Sequence, residues 1–446
     1  MLASAERTTH GGWRLIAALG FGLAMLGCGD STPSGTGGSG GGATGGSGGV
    51  GASGGTGASD GGGGAGGTLS QSGGAALCSL TGFGLPGGPT GFVRVLSEAE
   101  IEAGGDIDAT DNGIEVGGGV SCAVWRNSVY AASFQSPTIT RYDLIEGELV
   151  EGDTVSFMNF GVVSLAGLSS QIQVFSDTKA YFFDPQFAQI VVWNPTTMTT
   201  VEAIQLTGFD APPGTVLSRV RAGRIDDRLV LWSTYVDDQG FSAPTSVFAF
   251  VDPETDEFVT DTVDTCGGLI SEFVTTTNGD TYIGSSAADA INHALGFEGT
   301  FPPCIVRLRA GATEVDATFL GDPNALTGIG PTGGPLAGSG DAGFLVAYDE
   351  STMPLDPLRT GTEHTALENW LVYQVELGST TPGTRVEALP AGQGVGGTTS
   401  FDGRGFLTRT ARDFSGTTFF DLSQTPVEET YRFNAAVALF ARLGAE

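Results

Sequence analysis

The chain has 446 residues, enough for two or three domains of average size, although all-β domains often reach this length as single units. Glycine accounts for 73 residues and is concentrated near the N-terminus, which indicates a low-complexity segment joined to a globular body. The 50 acidic and 19 basic residues give a net charge of −31. A nucleic-acid backbone requires a basic surface, so this charge excludes nucleic acid as a partner, and an anionic membrane surface would repel the body for the same reason.

Residues 1–27 have the pattern of an export signal. Two arginines precede Leu15–Leu26, an apolar run of 12 residues that is too short to span a bilayer. The run ends in Met25-Leu26-Gly27-Cys28, which resembles the lipobox of bacterial lipoprotein signals, with Met25 where leucine is more usual. The resemblance implies cleavage before Cys28 and its lipidation, and two or more acyl chains anchor a protein stably without a transmembrane helix. The alternative is an ordinary cleaved signal that leaves Cys28 free.

Residues 28–76 are, after Cys28, almost entirely Gly, Ser, Ala and Thr. Such a segment cannot bury apolar area and is predicted to be a flexible tether with a root-mean-square reach of roughly 35–40 Å. Its glycine strings match hydrolase and nucleotide-binding patterns only trivially, because no strand and helix flank them. We expect the tether to hold the body away from a membrane surface.

Four further cysteines lie in the body, at Cys78, Cys122, Cys266 and Cys304. An even number in an exported chain favours disulfides, and four cysteines allow three pairings. We favour Cys78–Cys122 and Cys266–Cys304, because each pair would join neighbouring segments of one region. The absence of any C-x-x-C spacing gives no support to a zinc site.

A strand–loop–strand unit recurs through the body, first at Trp125–Asp143. A single hairpin cannot bury its apolar face, so repetition is the physical solution. The second strands of successive units end at positions separated by 51, 57, 58, 65 and 47 residues, namely Tyr142, Trp193, Phe250, Leu308, Tyr373 and Phe420. A period near 50 that consists of strands alone is typical of a β-propeller.

The predicted fold class is therefore all-β, a single β-propeller over residues 77–446. Six units can be recognised in the sequence. The remaining N-terminal strands and the C-terminal strand Ala436–Leu443 together fit a seventh unit. Closing the ring with strands from both chain ends removes exposed sheet edges. We predict seven blades, with six or eight left open.

An acidic segment near the start of the body, Asp106 to Gly113, has the spacing of a calcium loop. The EF-hand register fails, because the twelfth position counted from Asp108 is Gly119 and not glutamate. The sequence predicts an Asp-Asn-Gly turn instead.

Loops on one face of a propeller are the expected place for a site, since rigid scaffolds carry function on loops. Two insertions qualify, residues 285–303 and 349–369, and they contain His293 and His364. Two histidines without a fixed spacing do not define a metal site, so no metal is predicted. No catalytic motif is present either, because H-E-x-x-H is absent and the Gly392-x-Gly394-x-x-Gly397 segment precedes a strand.

Several segments carry a resemblance to a known family, namely 111–116, 136–143, 176–184 and 189–195. They resemble propeller lipoproteins associated with siderophore uptake clusters, such as the surface lipoprotein of the myxochelin cluster. They are also similar to a wider group of lipoproteins with an N-terminal Asn-Gly-Ile-Glu segment. The resemblance implies a seven-bladed propeller at the cell surface that captures ferric siderophores for a TonB-dependent outer-membrane receptor. The shared segments are turns and strand cores, so they transfer no binding residue.

An anionic ferric catecholate would need arginines and aromatic planes in its site. Lysine is nearly absent, so arginine supplies the cations. The predicted ligand-binding residues are Arg359, Arg409, Arg412, Phe187, Tyr235 and Phe414, together with His293 and His364. The alternative for each arginine is an ordinary surface ion pair worth less than about 1 kcal/mol.

The sequence thus predicts a monomeric, non-enzymatic binding protein without a cofactor, exported and lipid-anchored to the outer membrane or cell surface. Its expected ligand is a ferric siderophore or another small molecule. Two alternatives stay open: a protein–protein interaction scaffold, and a propeller hydrolase or quinone-dependent oxidoreductase.

Overall fold

The computed structural model of the protein describes residues 74–82, 88–163, 165, 171–336, 340–394 and 396–444, without the Arg219 side chain. The predicted signal sequence, Cys28 and nearly all of the predicted tether lie outside these ranges. Within the described ranges no helix has the length and apolar character needed to cross a membrane.

The strands form seven sheets, which we call blades 1 to 7. The chain begins with β1 (Ala75–Thr81), β2 (Thr90–Leu96), α1 (Glu98–Ala103), β3 (Gly105–Ile107) and β4 (Ile114–Val116). Blade 1 follows with β5 (Val120–Trp125), β6 (Ser128–Ser133), β7 (Thr138–Ile145) and β8 (Glu148–Ser156), and a 3₁₀ turn at Met158–Phe160 comes after it. Blade 2 comprises β9 (Ile172–Ser176), β10 (Lys179–Asp184), β11 (Gln189–Asn194) and β12 (Thr199–Gln205). Blade 3 comprises β13 (Thr215–Ile225), β14 (Arg228–Asp237), β15 (Ser242–Val251) and β16 (Phe258–Val263).

The second half of the ring carries the helices. Blade 4 has β17 (Leu269–Thr275), β18 (Thr281–Ser285) and β19 (Ile305–Leu308), with α2 (Ala287–Ala294) between the last two. After α3 (Pro323–Thr327), blade 5 has β20 (Thr332–Leu336), β21 (Ala342–Tyr348), β22 (Trp370–Glu376) and β23 (Thr384–Arg385), with α4 (Gly361–Thr365) between β21 and β22. Blade 6 has β24 (Gly397–Phe401), β25 (Arg404–Thr410), β26 (Thr417–Asp421) and β27 (Glu428–Phe433), and β28 (Ala436–Arg442) follows.

The seven-bladed propeller predicted from the strand period is confirmed. In blades 1 to 6 the order of the main strands in the sheet follows their order in the chain. The first strands of most neighbouring sheets contact one another, for example β5 with β9 and β13 with β17, so they form the inside of the ring. The apolar residues of facing sheets pack between the blades, as in the cluster that joins blades 2 and 3.

Blade 7 is composed of strands from both ends of the chain, in the order β28, β1, β2, β4. The C-terminal strand β28 pairs antiparallel with β1 from Ala75 opposite Arg442 onward. Strand β3 leaves this blade and pairs parallel with β27 at the outer edge of blade 6. The predicted closure is therefore present, and β1 begins at Ala75, two residues before the predicted start of the propeller.

The two disulfides have the predicted pairing. Cys78 on β1 is bonded to Cys122 on β5, so this disulfide joins blade 7 to blade 1 across 44 residues of sequence. Cys266 and Cys304 are bonded within blade 4, where each precedes a strand.

Aromatic packing fills the space between blades 6 and 7. Phe440 on β28 is 1 % exposed, and its ring stacks on Phe401 with centroids 4.2 Å apart. It also contacts the edges of Phe419 and Tyr431. The closing strand is thus held by apolar contacts as well as by its backbone pairing.

We expect Phe440→Ala to lower the free energy of unfolding by about 3–5 kcal/mol, because it leaves a cavity where the closing strand meets blade 6. Phe187→Ala is a matched control, since this ring is 46 % exposed and the change should cost less than about 0.5 kcal/mol. Urea unfolding of both variants gives the two values. Equal losses would contradict the role assigned to Phe440.

Removal of the Cys78–Cys122 disulfide by a double serine substitution should cost about 2–4 kcal/mol, because the bond restricts the unfolded chain. The measurement is unfolding by guanidinium chloride. The comparison is the Cys266→Ser/Cys304→Ser double variant, because the second disulfide closes a loop of 38 residues against 44 for the first. Unchanged midpoints in both variants would show that neither bond stabilises the ring.

Candidate functional site

The loops between second and third strands, and those between blades, open on one face of the propeller because the strands alternate in direction. Both long insertions identified in the sequence lie on this face and contain the helices α2 and α4. Ser286 caps the N-terminus of α2, where its hydroxyl accepts a hydrogen bond from the Asp289 N–H. Thr360 caps the N-terminus of α4 and forms a reciprocal capping box with Glu363.

The two insertions pack against each other across blades 4 and 5. The Gly361 N–H donates to the Asn292 side-chain oxygen at 2.7 Å, in a fully buried contact. A Cβ at position 361 would collide with the Ala288 carbonyl group. Glycine is therefore required by the close approach of α4 to α2.

A cleft of about 680 Å³ lies on the same face, where blades 5 and 6 meet the N-terminal segment around β3. We call it the Arg409 cleft. The charged residues of its lining are Asp106, Asp108, Glu368, Arg409 and Arg432. Gly392 also lines the cleft.

Arg409 is held at the back of this cleft by packing. It lies one residue before the end of β25, and its guanidinium carbon is 5.5 Å from the centroid of the Phe420 ring. A Cβ on Gly392 would lie 2.5 Å from this carbon, closer than to Nε at 2.6 Å or Nη1 at 2.9 Å, so the Gly392 backbone covers one face of the guanidinium. The absence of a side chain at position 392 is what leaves room for Arg409.

No hydrogen bond or ion pair within the described residues uses the Arg409 guanidinium. Burial lowers the pKa of Arg409 from its ordinary value, and the nearby Glu368 opposes that shift. Arginine nevertheless remains protonated in proteins because its ordinary pKa is so high. The cleft thus contains a permanent positive charge whose N–H donors have no acceptor among the described residues.

The lining of the cleft also contains acidic residues from the N-terminal segment around β3. Hydrogen bonds from the Thr110 N–H and hydroxyl lower the pKa of Asp108 to about 2, so this carboxylate stays charged at neutral pH. Arg432 is an ion-pair partner of Asp106, at 3.3 Å, and of Glu429. The predicted turn after Asp106 is present, with Asn112 at a positive φ of 54°.

The predicted ligand residues do not form one group. Arg412 and Phe414 lie on the β25–β26 turn beside Arg409, with Arg412 exposed and Phe414 packed on the apolar cluster of blades 7 and 1. Arg359 lies in the blade 5 insertion and pairs with Asp356 at 3.3 Å. Phe187 is half exposed on the β10–β11 turn of blade 2.

Burial removes two residues from the predicted ligand set. His364 is fully buried, with its ring edge against Tyr348 at 5.4 Å between centroids and its Nε2 3.1 Å from the Asp356 carbonyl oxygen. Tyr235 is 2 % exposed in the core between blades 2 and 3, and burial raises its pKa to about 12. Both side chains hold packed elements together and are inaccessible to a ligand.

His293 is exposed on α2, beside a second cavity of about 540 Å³ that Asn324 and Glu350 also line. In the part of the chain that the structure describes, no group of three His, Cys, Asp or Glu residues could hold a metal ion.

The sequence prediction missed Glu368 and Gly392. The sequence analysis places Gly392 in a segment that precedes a strand; in the structure its backbone forms an isolated β-bridge with Trp370 through two hydrogen bonds of 2.9 and 3.0 Å, and β24 follows at Gly397. The contact of Gly392 with Arg409 joins two blades, and no spacing within one repeat reveals such a contact.

No protein-family model matches the chain, and no curated protein matches it. Solved structures similar to it include a "putative 6-phosphogluconolactonase" from Bacteroides uniformis, at 12 % identity and a TM-score of 0.48 over 84 % of this chain and 100 % of that one. A protein from Lactobacillus plantarum has 8 % identity and a TM-score of 0.48 over 83 % and 99 %. AztD from Citrobacter koseri has 12 % identity and a TM-score of 0.40 over 83 % and 98 %. Likenesses this distant transfer no ligand or reaction, and the fold assignment rests on the seven sheets of the chain itself.

We expect Gly361→Ala to lower the free energy of unfolding by about 1–3 kcal/mol, because the added methyl group forces α4 away from α2. Thr362→Ala, an exposed neighbour on the same helix, is the control and should change stability by less than about 0.5 kcal/mol. Chemical unfolding compares the two. A tolerated alanine at position 361 would show that the two insertions move independently.

Proposed function

We propose that this chain is a non-enzymatic, surface-anchored propeller lipoprotein that binds a small ligand through an anionic group in the Arg409 cleft. In its sharpest form the ligand is a ferric siderophore, which the protein hands to a TonB-dependent outer-membrane receptor. The proposal combines two observations: the lipoprotein-like signal and glycine-rich segment of the sequence, and the Arg409 cleft on the loop face of the propeller. The observation that carries it is the unpaired guanidinium of Arg409.

An unpaired arginine is exceptional in this chain. Acidic residues outnumber basic ones 50 to 19, so carboxylates are available to almost every cation. Among the arginines whose side chains are described, only Arg409 and Arg412 have neither an ion pair nor a hydrogen bond to a backbone carbonyl. Arg412 is solvated on a turn, whereas Arg409 is partly buried and fixed by Phe420 and Gly392.

Partly burying a charge without a partner costs free energy, which an anionic ligand would recover. A volume of about 680 Å³ lies within the ordinary range of small-molecule sites, roughly 300–1,000 Å³. A rigid ring of blades also keeps the walls of the cleft in place before the ligand arrives, which lowers the ordering cost of binding. These features support a binding role that needs no catalytic group.

The sequence of the N-terminal segments supports surface anchoring. Lipidation at Cys28 would fix the chain to the membrane, and the glycine-rich tether would let the body reach roughly 35–40 Å from it. The net charge of −31 keeps the body away from anionic headgroups, so the loop face stays accessible to a soluble ligand and to a receptor.

The test is titration of the purified full chain with ferric catecholate and ferric hydroxamate siderophores, followed by tryptophan fluorescence. Trp370 is a suitable reporter because its backbone pairs with Gly392 at the edge of the cleft. We expect Arg409→Gln to weaken binding about 10- to 100-fold, the loss that follows when one charge-assisted hydrogen bond of about 1.5–3 kcal/mol disappears.

The matched control is Arg412→Gln, the same chemical change three residues away on the exposed turn, which should leave the affinity within about twofold. Flat titrations with every siderophore tried would overturn the siderophore form of the proposal. Binding that Arg409→Gln leaves intact would overturn the assignment of the site.

A further inference from the structure

Two opposite charges in the Arg409 cleft are not paired with each other. Glu368 is exposed on the blade 5 loop, lines the cleft and acts electrostatically on Arg409. The two side chains are not within 4.0 Å, the distance of an ion pair, and Glu368 has no other partner among the described residues. The cleft therefore offers an anion-binding group and a cation-binding group with a gap between them.

The overall charge of the lining disfavours multiply charged anions. The lining contains three carboxylates and two guanidiniums, namely those of Asp106, Asp108, Glu368, Arg409 and Arg432. Arg432 is already paired with Asp106 and Glu429, so Arg409 is the cation left to a ligand. A ligand with one negative charge gains the contact with Arg409 at the smallest repulsion from the carboxylates.

The packing of Arg409 favours a planar acidic group on the ligand. Because the Gly392 backbone covers one face of the guanidinium, a ligand approaches its N–H groups at the edge, in the plane. Paired N–H donors in one plane match the two oxygens of a carboxylate in the bidentate arrangement typical of arginine. Neighbouring Glu368 can then accept from an ammonium group on the same ligand.

We infer that the Arg409 cleft recognises a zwitterionic carboxylate, a group of the amino-acid type, with the carboxylate on Arg409 and the ammonium on Glu368. This inference rests on the proposed function and specifies the part of the ligand that the cleft contacts. A siderophore that fits the cleft would carry such a group, whereas a ferric complex whose charge is concentrated in several anionic oxygens would bind poorly.

The experiment uses three small probes of almost equal shape: L-alanine, L-lactate and propionate. They share a methyl group and a carboxylate and differ only in carrying an ammonium, a hydroxyl or a hydrogen atom on the same carbon. Calorimetric titration of the full chain with each probe separates the two contacts. We expect L-alanine to bind about tenfold more tightly than propionate, with L-lactate between them.

Two variants assign the contacts. Glu368→Gln should remove the advantage of L-alanine by weakening its binding, while propionate binds equally or slightly more tightly because one repelling carboxylate is gone. Arg409→Gln should abolish binding of all three probes. Glu350→Gln, an exposed carboxylate on the same blade 5 insertion that lines the second cavity, is the control and should change nothing. Equal affinities for L-alanine and propionate, or an advantage that survives Glu368→Gln, would overturn the inference.

Failure of this inference is distinguishable from failure of the proposed function. Siderophore binding that depends on Arg409, together with equal affinities for the three probes, leaves the proposed function standing and removes the zwitterion. Binding of neither siderophores nor any probe overturns both. Tighter binding of L-lactate than of L-alanine would identify a hydroxy acid and would also contradict the inference.

Discussion

The whole propeller depends on one backbone pairing, that of the C-terminal strand β28 with the N-terminal strand β1. A ring of blades closes only when its first and last segments are joined, and here the joined residues are far apart in sequence, since Ala75 lies opposite Arg442. The Phe401–Phe440 stack and the Cys78–Cys122 disulfide reinforce the two sides of blade 7. In the other blades the main strands are consecutive in sequence, and the β1–β28 pairing closes these blades into a ring.

The closure also shapes the Arg409 cleft. Strand β3 comes from the N-terminal segment but pairs with β27, so Asp106 and Asp108 reach the wall of a cleft whose other residues belong to blades 5 and 6. The Ala109 N–H donates to the Asn434 side chain at 2.8 Å, across 325 residues of sequence. Ligand binding in this cleft would therefore stabilise the closed ring, because the open chain has no complete cleft.

The strand period and the disulfide pairing could be predicted from the sequence because they follow from residues that repeat or that lie in neighbouring segments. The composite blade could be predicted for another reason, since strands remain unassigned at both chain ends and together complete the ring. The ligand set was harder, because it depends on contacts between blades. Tyr235 was expected on the loop face, yet β14 continues to Asp237 and turns its ring into the core. His364 was expected at the surface, but α4 packs it against Tyr348. Arg409 was predicted as a cation of the site, but its packing against Gly392 of the neighbouring segment could not be predicted from the sequence.

The position of the first disulfide has a mechanical consequence. A lipid-anchored body in flowing medium, or one docked to a receptor, would transmit pulling force into the propeller at Ala75, the first residue of β1. That force would meet a covalent bond to blade 1 at Cys78, three residues further on. In a lipid-anchored protein only Ala75–Leu77 would separate before two blades shared the load, so the propeller would resist tension at this point better than strand pairing alone would allow.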